Sequence, residues 1–172
     1  MLYKLGSPLA ITLAVSTTCA AVALRASTNP TTLLGKPAAA YDAFFGKPKV
    51  ESRTEKAMVP GKSYTDEERN ALPMGTVTDR TYEWKGMGVH VYQGAVDTVP
   101  SAMRFGFWGK KAPKTWQSAL AKVGVPAQGV TAKPSPYAKT DKYLSGKGWT
   151  GAWYPGGDEQ GYQLSIEAVK KG

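Results

Sequence analysis

Residues 74–93 read MGTVTDRTYEWKGMGVHVYQ. Threonine, valine and tyrosine dominate, and such residues fit a pleated, half-buried surface. With Lys85-Gly86 between its two halves, the stretch predicts a β-hairpin. In Val89-His90-Val91 the histidine alternates with apolar neighbours and belongs on the other side of the strand from them.

Toward the C-terminus, SAMRFGFWG (101–109) makes a further short strand. APKTWQSALAKVG (112–124) predicts a helix: Pro113 near its start, Trp116, Ala119, Leu120 and Val123 on one face, Gly124 as the stop. After Val125-Pro126 the chain is rich in Pro, Gly and Lys down to Gly161, and it reads as extended. GYQLSIEAV (161–169) alternates again, with Tyr162, Leu164, Ile166 and Ala168 on one side.

Toward the N-terminus, SYTDEERNALP (63–73) carries a Thr65-x-x-Glu68 capping box and ends at Pro73. Residues 47–63 alternate charges with turn formers and read as a loop. In GKPAAAYDAFFGKP (35–48), Ala38 to Phe45 predicts a short helix closed by Gly46 and Pro48. Its Tyr41, Phe44 and Phe45 share one side, as core residues or as an aromatic patch at a membrane interface.

The first residues, MLYKLGSPLAITLAVSTTCAAVALRAS, hold no charge between Lys4 and Arg25. As a helix, Leu5 to Leu24 would span about 30 Å, the thickness of a bilayer's hydrocarbon. Lys4 and Arg25 would then reach the two headgroup layers. A secretory signal is the competing reading, with apolar Leu9 to Val15 followed by Ala21-Val22-Ala23 as a cleavage site. The anchor is the expectation carried forward. The expected fold class is α+β, with one N-terminal transmembrane helix over residues 1–26. A linker with short helices over 27–73 and a small, basic, loop-rich region over 74–172 would follow, the latter carrying the hairpin and partly extended. Nineteen glycines and twelve prolines support short elements over long ones.

The net charge of +9 is concentrated. Between Pro100 and Gly148 there are nine basic residues against the single acid Asp141. Arg104, Lys110, Lys111 and Lys114 are interleaved with Trp108 and Trp116, and Trp149 and Trp153 follow. Together with Lys4 and Arg25 these eight are the candidate binding residues. A basic aromatic surface suits anionic lipid headgroups or acidic partner subunits, with the rings as anchors. Nucleic acid is the weaker fit. Arg104-Phe105-Gly106-Phe107 lacks the glycine that should follow the arginine in an RNA-recognition strand, and no β-α-β-β-α-β order surrounds it.

Chemistry is sparsely signalled. One cysteine, Cys19, excludes a disulfide framework and Cys-rich zinc sites. One histidine, His90, excludes His-based metal clusters. Ser101 and Asp97 could join His90 in a triad, but their spacing does not specify one. Carboxylate pairs such as Asp79 with Glu83, or Asp158 with Glu159, are the kind any chain offers. No phosphate-binding loop is present, and no cofactor is expected. The expectation is a non-catalytic, single-span accessory subunit of a membrane complex. The mitochondrial inner membrane is the preferred location, in a respiratory-chain or ATP-synthase complex. The alternatives are an exported soluble binding protein with a cleaved signal, periplasmic or secreted, and a membrane-tethered nucleic-acid binder.

Overall fold

The computed structural model describes residues 29–59, 62–156 and 161–169. Its strands are β1 (Lys49–Lys56), β2 (Met74–Trp84), β3 (Met87–Gln93), β4 (Ala102–Phe107), β5 (Thr131–Pro134), β6 (Lys142–Gly146), β7 (Trp149–Pro155) and β8 (Tyr162–Ala168). A 3₁₀ turn at Pro30–Leu33 precedes the described α-helices α1 (Ala38–Phe45), α2 (Asp66–Ala71) and α3 (Trp116–Val123). All eight strands join one sheet in the order β1-β2-β3-β4-β8-β7-β6-β5. Every pairing is antiparallel. Two four-stranded meanders therefore meet where β4 pairs with β8, and the connection through α3 carries the chain from the middle of the sheet to its far edge.

The β2–β3 hairpin turns at Lys85 (φ 51°) and Gly86 (φ 70°). Two positive φ angles in a two-residue loop are the type I′ geometry, whose twist matches that of the strands. Register then stacks the apolar positions into rows. Val91 lies opposite Met103, and Met103 opposite Ile166. Val89, Phe105 and Leu164 form the next row and are wholly buried. Burying an aliphatic side chain of this size contributes about 1.5–3 kcal/mol.

Helices α1 and α3 cover this apolar face. The Phe45 ring centroid lies 5.3 Å from that of Tyr82, 5.2 Å from Trp84 and 6.2 Å from Phe105. Tyr41 is buried and donates its hydroxyl to the Pro100 carbonyl at 3.3 Å. Its burial pushes the phenol up to about 12. The Tyr82 hydroxyl donates to Asp42 Oδ1 at 2.7 Å, clamping α1 to the sheet. On α3, Ala119, Leu120 and Val123 are wholly buried. Thr115 caps the helix by accepting from the Ser118 amide, and Gly124 ends it in the left-handed region at φ 81°.

Three expectations are corrected. Among the described residues the fold is mostly β, a single eight-stranded antiparallel sheet with short helices, and not an α+β arrangement with a membrane helix and loose extensions. Residues 49–56 form strand β1 where a loop was expected, and β5, β6 and β7 occupy the stretch read as extended. The edge strands β1 and β5 pair through the backbone without needing an apolar alternation, whereas β6 and β7 bury Leu144, Trp149 and Trp153 among glycines and polar residues. Finally, no helix among the described residues is long and apolar enough to cross a membrane. That finding replaces the expected single-pass, inner-membrane placement. The segment proposed as an anchor, with Lys4 and Arg25, lies outside the described residues.

Candidate functional site

The alternation that buries one face of the sheet presents polar side chains on the other. There a groove of about 570 Å³ runs over β1, β2, β3, β4 and β8. Register builds it row by row. Thr81, His90, Arg104, Ser165 and Ala152 lie opposite one another across five strands. On one side runs the row Asp79, Tyr92, Ala102 and Glu167. On the other runs Gly88, Gly106, Gln163 and Tyr154. A second groove of about 480 Å³ continues over β5 to β8, lined by Lys133, Tyr143 and Tyr154 and sharing Ser165 and Glu167 with the first.

The charges in the groove are unequally engaged. Arg53 bonds both Glu55 and Asp79. Those two carboxylates, Glu55 foremost, hold its guanidinium well above the usual arginine range. The Arg104 side chain is exposed and makes no hydrogen bond or ion pair among the described residues, and neither does that of Glu167. The Ser165 hydroxyl accepts from the Ala152 amide at 3.0 Å. Partial burial raises the phenols of Tyr92 and Tyr154 above their usual range.

Trp108 forms one wall. A Cβ added at Gly106 would come within 2.2 Å of its Cη2 atom, and one at Gly161 within 2.6 Å of its Nε1. A Cβ at Gly88 would stand 3.3 Å from Cζ3. The indole thus lies over three glycines, and a Cβ at Gly106 or Gly161 would overlap it. It is nevertheless 58% exposed.

The basic aromatic region read from the sequence is divided among three places. Arg104 and Trp108 line the groove. Lys110, Lys111 and Lys114 are exposed at the β4–α3 corner, beside the partly buried Trp116. There Lys114 donates to the Tyr162 hydroxyl at 2.8 Å, and Lys122 reaches the Lys111 carbonyl at 3.4 Å. Trp149 and Trp153 are core residues, 4% and 2% exposed. The groove also collects Arg53, Asp79, Tyr92, Gln163 and Glu167, which were not singled out as a group. The available signal was parity: Gln163, Ser165 and Glu167 are the complement of the apolar Tyr162, Leu164 and Ile166.

Of the residues weighed for a triad, Asp97 and Ser101 come together, while His90 lies against Thr81. Asp97 Oδ2 accepts from the Ser101 hydroxyl at 2.7 Å and from the Gly94 amide at 3.1 Å, closing the β3–β4 loop. His90 Nδ1 lies 3.4 Å from the Thr81 hydroxyl. Asp79 serves Arg53. Among the described residues no group of three or more His, Cys, Asp or Glu side chains could hold a metal ion. The chain matches no family model, no curated protein and no solved structure.

Proposed function

We propose that the protein is a non-catalytic binding protein whose working surface is the polar face of its sheet. The observation that carries this is the groove itself. Its volume falls within the range of small-molecule sites, and it presents the Arg104 and Glu167 side chains without a hydrogen bond or ion pair among the described residues. Such groups on rigid strands are already positioned, so a ligand would meet a formed site. Among the described residues His90 meets the Thr81 hydroxyl but bonds no carboxylate, so the nucleophile–base–acid relay of hydrolytic chemistry is not assembled there, which favours binding over turnover.

The test is ligand-induced stabilisation. A panel of small amines, sugars, organic acids and phosphates is screened by thermal shift against the wild type and against Ala102→Trp. Ala102 sits between Tyr92 and Glu167 in the groove, so the new indole fills it. A true groove ligand raises the wild-type Tm by mass action and leaves A102W unmoved. Equal stabilisation of both proteins, or none by any compound, would contradict the proposal.

The basic corner favours a second reading, docking on an acidic partner protein. Lys110, Lys111 and Lys122 are exposed and form no salt bridge among the described residues. Association there should weaken steeply with salt, and Lys110→Glu/Lys111→Glu should abolish it while sparing the groove.

A further inference from the structure

We propose that the groove takes a small aryl monocarboxylate, its ring against Trp108 and its carboxylate on Arg104. The proposal rests on the binding reading above and names the ligand class for the same site.

Arg104 stands in the central row of the face, directly opposite His90 on one side and Ser165 on the other. Neither neighbour is an acid. Of the two carboxylates near it on the face, Asp79 is held by Arg53. Glu167 pairs opposite Ala102, diagonal to Arg104, and the two form no ion pair. A guanidinium presents a planar fork of donors that matches a carboxylate with two parallel bonds. Arg104 therefore offers an unspent bidentate site on a rigid strand.

Trp108 supplies the aromatic half. Its ring lies over Gly106, two residues or about 6.6 Å along the strand from Arg104. Packing on glycine backbone fixes the indole while more than half its surface stays open to solvent. A fixed, exposed ring is a platform for a second ring, stacked offset or edge-on. Gln163 is directly opposite Gly106, and Tyr154 is beyond it. Gln163 lines the same groove, and Tyr154 lines the second groove beside it.

The charge must be single. Glu167 faces the same groove and repels a second negative charge, and the other arginine in the groove is already neutralised by two carboxylates. A phosphate dianion finds one arginine and an opposing acid, whereas a carboxylate finds its match.

Titration calorimetry on the full chain tests this with phenylacetate as the probe. Phenylacetate should bind one to one. Acetate, which lacks the ring, and phenylacetamide, which lacks the charge, should each bind at least about tenfold more weakly. Arg104→Gln and Trp108→Ala should each weaken phenylacetate by about tenfold or more. Gly106→Ala, whose new methyl displaces the indole, should reproduce the Trp108→Ala loss. Unchanged affinity in R104Q, tighter binding of phenyl phosphate than of phenylacetate, or no binding of phenylacetate would each overturn the proposal. If phenylacetate fails while another compound stabilises the wild type but not A102W, the ligand class falls and the groove survives. If no compound discriminates the two proteins, both fall.

Discussion

Arg104 and Phe105 are adjacent in the chain and face opposite ways. Phe105 is wholly buried under α1, while Arg104 stands exposed in the groove. That division was legible in the sequence wherever apolar and polar residues alternate, as at Val89-His90-Val91. Which residues become neighbours across strands was not legible, because register depends on pairings far apart in the chain. Hence Arg104 could be singled out, but its place between His90 and Ser165 could not. Two predictions belong at this scale. Phe45 is a hub for Tyr82, Trp84 and Phe105, so Phe45→Ala should cost about 3–5 kcal/mol, read from urea denaturation. Tyr41 has its phenol raised from 10.0 to about 12 by burial. The unfolded chain therefore loses this proton first, and the stability due to the neutral phenol is full below pH 10 and declines from there toward pH 12. Tyr82 shifts in the same direction. The urea midpoint should fall above pH 10, and Tyr41→Phe should flatten that fall while losing the bond to Pro100 at all pH values. A midpoint that holds steady in the wild type across that range would refute the assignment.

At the scale of elements, the two hairpin strands and the α3 helix carried clear local signals. The Thr65–Glu68 capping box and the Gly124 stop both form as their residue types suggest. Strand β1 carried none. Five of the eight residues of its sequence KVESRTEK are charged, and most are exposed. It stays in the sheet by backbone pairing with β2 and by the Arg53–Asp79 bridge across the two strands. Charges on an edge strand prevent a further strand from adding. Replacing Glu51, Arg53 and Glu55 together by Val should accordingly leave the monomer folded but cause concentration-dependent assembly, seen by light scattering. An unchanged monomer at high concentration would remove the protective role. The α3 cap gives a smaller effect: Thr115→Ala should destabilise by about 1 kcal/mol.

At the scale of the molecule, composition misled in an instructive way. Glycine and proline content pointed to extended chain, yet glycines serve close approaches within the sheet, most clearly where Trp108 lies on Gly106 and Gly88. The cluster of positive charge and tryptophan looked like one surface. Folding separates it, because strand alternation sends Trp149 and Trp153 inward and Arg104 to the opposite face from them. What remains common to the whole molecule is its asymmetry: one face of the sheet is closed by helices, and the other is grooved and polar. The most direct measurement is amide chemical-shift mapping during titration with phenylacetate and with the compounds that stabilise the wild type but not A102W. Perturbations should concentrate on His90, Arg104, Gly106, Gln163 and Glu167. Shifts confined to the helical side or to the Lys110–Lys122 corner would contradict the assignment of the polar face as the binding surface.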